Sequence, residues 1–115
     1  MNGGVYRSVN PTVSIDQPVH PVPSEFLLAQ NYPNPFNSTT VIRYALPKMS
    51  DVKLIIYNVL GQKVRTLLND RVEAGYHSIE WDGRNDIGAQ AASGIFVYRL
   101  KAGNQIISKK MLLLR

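Results

Sequence analysis

Polar and apolar residues alternate along most of the chain beyond residue 26, with the period of two that marks a strand having one buried face. Thr40 to Leu46 places Ile42, Tyr44 and Leu46 on one side, and Val41, Arg43 and Ala45 on the other. Val52 to Asn58 repeats the pattern, with Val52, Leu54 and Ile56 opposed to Lys53, Ile55 and Tyr57. Asn58-Val59-Leu60-Gly61 then supplies a turn, and Val64 to Leu68 reads as the return strand of a hairpin. His77, Ile79 and Trp81 share a face and run straight into Asp82-Gly83, a strong turn signal. Ser93-Gly94 opens a strand over Ile95 to Leu100, and Ala102-Gly103-Asn104 connects it to a last one over Gln105 to Leu114. No amphipathic helix interrupts the series.

About seven short strands joined by Gly, Pro, Asn and Asp turns predict two packed antiparallel sheets, because a single sheet of this size would leave an apolar face in water. The expectation is an all-β, immunoglobulin-like sandwich over residues 25–115. Residues 1–24 differ in kind. Four of the seven prolines (Pro11, Pro18, Pro21 and Pro23) lie there, and Gln17 to Pro23 is incompatible with a helix or a central strand. This stretch reads as a proline-rich, semi-rigid spacer. The competing reading adds an edge strand through Val13 and Ile15.

Composition narrows the function. At 115 residues the chain has room for one small core; 44% hydrophobic and 18% charged residues place it among folded proteins. No apolar run approaches the ~18 residues of a membrane-spanning helix. Met1 to Val13 has neither the basic start nor the apolar centre of a signal peptide, so none is expected. Cysteine is absent, which removes disulfides, thiolate nucleophiles and cysteine zinc sites. The net charge of +5 comes from cations spread along the chain, an argument against a nucleic-acid stripe.

Catalytic sets are also missing. His20 lies in the spacer, and His77 beside Trp81 reads as a hydrogen-bonded or half-exposed structural residue. No Gly-x-Ser-x-Gly elbow frames a serine, and no glycine-rich phosphate cradle is followed by a helix. Asp82-Gly83-Arg84-Asn85-Asp86-Ile87-Gly88 has the outline of a calcium loop, but Arg84 stands where an oxygen ligand is needed. It reads as a turn whose Asp and Asn side chains cap backbone donors. Neither an enzyme nor a cofactor is expected.

Three stretches are more particular than a generic sandwich requires. The first is Gln30-Asn31-Tyr32-Pro33-Asn34-Pro35-Phe36-Asn37-Ser38-Thr39-Thr40, a stiff entrance in which Tyr32 and Phe36 are expected to be aromatic pegs into the core. The second is the hairpin Ile56-Tyr57-Asn58-Val59-Leu60-Gly61-Gln62-Lys63-Val64. The third runs from Trp81-Asp82-Gly83-Arg84-Asn85 through Ala92-Ser93-Gly94-Ile95-Phe96-Val97-Tyr98-Arg99-Leu100, and ends in Lys109-Lys110-Met111-Leu112-Leu113-Leu114-Arg115.

Taken in this order, the motifs over roughly 26–115 resemble the type A C-terminal sorting domain of the type IX secretion system of Bacteroidota and related bacteria. The Trp-Asp-Gly-Arg-Asn…Ser-Gly-Ile-Phe section is also similar to the immunoglobulin-like domain of flagellar hook-capping proteins. Ser38 replaces a proline common after the Phe-Asn pair, and Asn58 stands where Asp is frequent; Asn and Asp serve turns alike. The resemblance implies a non-catalytic address label on a cargo that reaches the cell surface or exterior through the periplasm. Its implied partners are the outer-membrane secretion machinery and a sortase-like protease that cuts before or near Phe26. The implied recognition residues are Tyr32, Pro33, Asn34, Pro35, Phe36, Asn37, Gly61 and the final Lys109, Lys110, Met111, Leu112, Leu113, Leu114 and Arg115.

The last strand is apolar on both faces at its end, with Met111 and Leu113 opposed to Leu112 and Leu114. Either Lys109-Lys110 with Leu112–Arg115 is a docking strand for a secretion partner, or this is a central strand flanked by basic gatekeepers. Two other classes compete with the sorting label. One is a structural interaction module that stays in its final assembly. The other is a carbohydrate-binding module using Tyr6, Tyr57 and Tyr76, with Trp81 read as core.

Overall fold

The computed structural model describes residues 22–115. Seven strands form two antiparallel sheets, and no helix occurs among the described residues. In chain order they are β1 (Leu27–Leu28), β2 (Thr40–Leu46), β3 (Ser50–Asn58), β4 (Lys63–Val72), β5 (Gly75–Trp81), β6 (Gly94–Ala102) and β7 (Gln105–Leu113). One sheet has the order β1-β2-β5 and the other β4-β3-β6-β7. The expected all-β, immunoglobulin-like sandwich is the observed fold.

The alternating faces assemble as their sequence pattern requires. Ile42, Tyr44 and Leu46 of the small sheet face Val52, Leu54 and Ile56 of β3 and Phe96, Tyr98 and Leu100 of β6. Each large apolar side chain fully buried this way stabilises by roughly 1.5–3 kcal/mol, which is why one-residue slips in register are not tolerated. Trp81 is fully buried between Phe36 and Phe96, with ring centroids 5.6 and 5.4 Å away. Its indole N–H donates to the Arg84 carbonyl at 2.9 Å, so the one polar atom of the ring is satisfied.

Three details depart from the sequence reading. The return strand of the first hairpin extends to Val72 instead of ending at Leu68. Its alternation is disguised by two irregularities, because Leu67 and Val64 have no partner in the β3 register. Both bulged residues turn onto the core, adding apolar cover that strict pairing would have aimed at solvent. The seventh strand is the two-residue β1, too short to leave a periodic signal. Tyr32 is not a core peg: it is 73% exposed, whereas Phe36 is 2% exposed and packs as expected.

The last strand is neither central nor free. β7 is the edge strand of the four-stranded sheet, with β6 on one side only. Its two faces match the expectation: Met111 and Leu113 are buried, Leu112 is half-buried and Leu114 exposed. The proposed strand through Val13 and Ile15, Tyr6, His20 and most of the proline spacer lie outside the described residues.

Candidate functional site

The two motifs singled out at opposite ends of the domain meet along the outer edge of β7. Residues 29–37 form a strap that crosses this edge, with cis peptide bonds at Tyr32-Pro33 and Asn34-Pro35. Phe36 lies parallel to Leu113; its N–H donates to the Leu112 carbonyl at 3.0 Å, and its carbonyl accepts from the Leu114 N–H at 2.9 Å. The Leu112 N–H donates to Asn34 Oδ1 at 3.0 Å, so the asparagine side chain takes a place that a partner strand's carbonyl would otherwise fill. One turn earlier, Gln30 Nε2 donates to the Lys110 carbonyl at 2.7 Å. These four bonds satisfy outward-facing groups of β7 from Lys110 to Leu114, which an edge strand would leave open to any chain.

The strap is itself held from inside. Asn31 and Thr40 are the two buried polar residues of the described chain, and both are fully engaged. Asn31 Nδ2 donates to Thr40 Oγ1 at 2.9 Å and to the Pro33 carbonyl at 3.1 Å, while the Thr40 hydroxyl donates to that carbonyl at 2.8 Å. The Asn31 N–H donates to the Tyr98 hydroxyl at 2.8 Å, and that hydroxyl donates to the Ala29 carbonyl at 2.7 Å. Tyr98 has no exposed surface, and burial pushes its pKa up to about 12 despite the opposing bond from Asn31. It therefore stays protonated and keeps both roles, donor and acceptor, at physiological pH.

The other end of the seam is closed by the chain's last residue. The Arg115 N–H donates to Ser93 Oγ at 2.9 Å, Nε to the Ala91 carbonyl at 2.7 Å, and Nη2 to the Gly83 carbonyl at 3.0 Å. The guanidinium thus binds backbone dipoles of the β5–β6 connection. Gly83 has φ +74°, and a Cβ there would stand 2.7 Å from Arg115 Nη2 and 3.3 Å from the Ser38 carbonyl. Glycine is favoured by the positive φ and the nearby Ser38 carbonyl, whereas the arginine end can swing aside.

Gly61 sits in a separate turn at the same end, since Asn58 pairs with Phe96 and Phe96 with Met111. Asn58 Oδ1 accepts from the Leu60 and Gln62 N–H groups at 2.9 and 3.0 Å, and Gly61 donates to the Asn58 carbonyl at 3.0 Å. The same turn is built again over Asn85-Asp86-Ile87-Gly88-Ala89. Asn85 Oδ1 accepts from the Ile87 and Ala89 N–H groups at 3.1 and 2.9 Å, and Gly88 donates to the Asn85 carbonyl at 3.0 Å. Asp82 Oδ1 likewise accepts from the Arg84 N–H at 3.1 Å. The Asp82 and Asn85 oxygens cap their own turns, as the sequence implied, whereas Asp86 Oδ1 accepts from the Thr66 N–H of β4 at 2.9 Å. Each asparagine turn presents an exposed apolar residue, Leu60 or Ile87.

Of the recognition residues expected from sequence, the structure gathers Asn34, Phe36 and Lys110 through Arg115 in the seam, with Tyr32 exposed on the strap. Pro33 belongs to the seam's inner side through its carbonyl. Pro35 and Asn37 flank Phe36 and are exposed. Lys109 pairs with Tyr98 on the other face of β7. Gln30, Asn31 and Tyr98 were not among the expected residues, although they hold the strap in place. Among the described residues no group of three or more His, Asp or Glu gathers where it could hold a metal ion. His77 stacks on Tyr44 at 5.3 Å, with Nε2 2.8 Å from the Glu73 carbonyl, which is a structural placement.

A β-sandwich with its terminal strand fastened under its own entrance, and with its conspicuous residues on an edge, is an immunoglobulin-like domain in architecture. The chain belongs to the FlgD Ig-like domain family, which matches residues 34–105. No curated protein matches it in sequence. Among solved structures it is similar to the dimeric latent PorU of Porphyromonas gingivalis, with a TM-score of 0.64 and 19% identity over 79% of this chain and 10% of that one. It is also similar to PorZ, a surface component of the type IX secretion system of Porphyromonas gingivalis, with a TM-score of 0.50 and 18% identity over 78% of this chain and 11% of that one. The chain therefore spans about a tenth of each of these proteins. At such identities the likeness is one of fold.

Proposed function

We propose that this domain is a non-catalytic sorting and anchoring label that directs a cargo protein across the outer membrane through the type IX secretion system. The observation that carries this reading is the seam: two motifs more than 70 residues apart in sequence are fastened by Phe36, Asn34 and Gln30 into one edge. A machine that reads this edge reads a folded domain and its last strand together. The fold shared with PorZ, a surface component of type IX secretion, supports the same assignment. The outer-membrane machinery and a sortase-like protease are the partners this reading supplies, and the cell surface or exterior is the destination.

The seam also limits how a partner docks. Strand addition along Lys110–Leu114 would require displacing the strap, so recognition there is side-on, through Leu112, Leu114 and Lys110. The test is to place the chain behind a fluorescent protein carrying a Sec signal, in a host with type IX machinery. Surface delivery is expected, and it is expected to fall when Lys110, Leu112 and Leu114 are replaced by alanine in a domain that still folds. Deleting 109–115 is a poorer test, since it removes the buried Met111 and Leu113. The family match favours a second reading, a structural module retained in an assembly. Retention of the fusion in the periplasm is the outcome that reading predicts.

A further inference from the structure

The outer face of the four-stranded sheet has a charge distribution that neither the fold nor the seam requires. Residues whose register places them on this face alternate with the buried ones of β3, β6 and β7. Lys53 stands directly opposite Lys101, Tyr57 opposite Lys63, Ile55 opposite Arg99, and Val97 opposite Lys110. Among the described residues none of Lys53, Lys63, Arg99, Lys101 and Lys110 has a carboxylate within 4.0 Å, and all five are exposed. Like charges directly opposite one another destabilise a sheet, so the Lys53–Lys101 pair has a cost. The one described carboxylate on this face, Asp51, is already bridged to Arg71 at 3.3 Å. Glu80 lies on the other sheet, and Asp82 and Asp86 in the β5–β6 connection face Arg65.

The make-up of the face indicates the kind of partner. Counting Arg71, four of the six cations of the face are lysines, which are depleted in protein–protein interfaces, where arginine and aromatics dominate. Tyr57 is the face's aromatic ring, and Arg99 already covers it at 5.1 Å, so no stacking platform is left for a nucleic-acid base. Ile95 and Ile106 are exposed at the two ends of the β6–β7 hairpin, flanking the cations with apolar groups. An open sheet face of lysines with isolated apolar residues suits a broad polyanionic surface with an apolar layer beneath it. We propose that the outer face of the β4-β3-β6-β7 sheet docks on a membrane surface rich in anionic lipid headgroups. This inference does not rest on the sorting reading, and the Lys53/Lys101 pair tests it without touching Lys110, which both surfaces share.

The test uses the purified chain and sedimentation with phosphatidylcholine vesicles, with and without about one-third phosphatidylglycerol, at about 0.05 and 0.5 M salt. Each basic residue near an anionic leaflet adds roughly fivefold in affinity. Binding is expected with the anionic vesicles only, and it is expected to disappear at high salt. Lys53→Glu with Lys101→Glu should weaken it by at least about tenfold, and Lys63→Glu with Lys110→Glu should do the same from the neighbouring strands. Arg43→Glu with Lys48→Glu, which changes net charge equally but lies off this face, should alter it less than about twofold. Equal binding to both vesicle types, an equal loss in the Arg43/Lys48 variant, or tighter binding to a single-stranded oligonucleotide or to polyglutamate would overturn the proposal. Thermal unfolding of each variant shows that a loss reflects the surface and not the fold.

Discussion

Phe36 runs beside Leu113 as a one-residue parallel strand, and through this contact the beginning of the domain covers the edge of its end. The ring of Phe36 goes inward against Trp81 while its backbone faces β7, so one residue both fills the core and closes the sheet. Phe36→Ala should therefore cost about 3–5 kcal/mol in denaturant unfolding, the range for a buried aromatic. Asn34→Ala removes only the bond to the Leu112 N–H and should cost about 1 kcal/mol. Hydrogen exchange distinguishes the two: Asn34→Ala should speed exchange at Leu112 while the amides of β3 stay protected.

Tyr98 gives a pH signature. Its pKa is raised by burial from 10.0 to about 12, and that of Tyr44 is raised by the same cause. A raised pKa favours the protonated, folded form, so this stability is complete below pH 10.0, the unfolded value, and is lost as pH climbs towards about 12. Tyr98→Phe should cost about 1–3 kcal/mol at neutral pH, because the buried Asn31 N–H loses its acceptor. The same variant should show a shallower decline in stability between pH 10 and 12 than the parent chain, as followed by urea unfolding at stepped pH.

Gly83 and Arg115 are coupled by space. Gly83→Ala should destabilise by about 1–3 kcal/mol through positive φ and crowding of the Ser38 carbonyl, and it should also push the arginine from its carbonyl site. In an Arg115→Ala background the glycine substitution should cost less but not nothing, because the backbone terms remain. A double-mutant cycle by thermal unfolding measures the difference. Full additivity would mean that the arginine does not occupy this site.

The repeated asparagine turn makes matched variants informative. Asn58→Ala and Asn85→Ala each remove an oxygen that accepts two backbone N–H bonds, and each should cost about 1–2 kcal/mol. Asn58→Asp keeps both acceptors and loses only the Nδ2 bond to Gln62, so it should stay within about 0.5 kcal/mol of the parent.

Much of the fold was legible because β2, β3 and β6 each bury one face, and burial imposes a period of two on the sequence. The polar second half of β4, Asn69-Asp70-Arg71, carried no such mark, since an edge strand can pair its backbone while exposing its side chains. Tyr32 misled because aromatic character argues for burial, whereas its position between the satisfied Asn31 and Pro33 leaves the ring facing solvent. The candidate site was legible as two lists of residues, not as one place. Nothing local to Asn31 or Tyr98 announces a hydrogen bond across 67 residues, and Arg115 binds carbonyls that have no residue type. Pairing at an edge is decided by the whole topology.

Because the strap bonds to Leu112 and Leu114 across more than 70 residues, closing this edge bears a large loop-closure entropy that local pairing does not. A polypeptide interrupted anywhere before those residues keeps a raw strand margin however well its remaining layers pack. The seam thus makes the covering of this margin depend on residues at both ends of the domain.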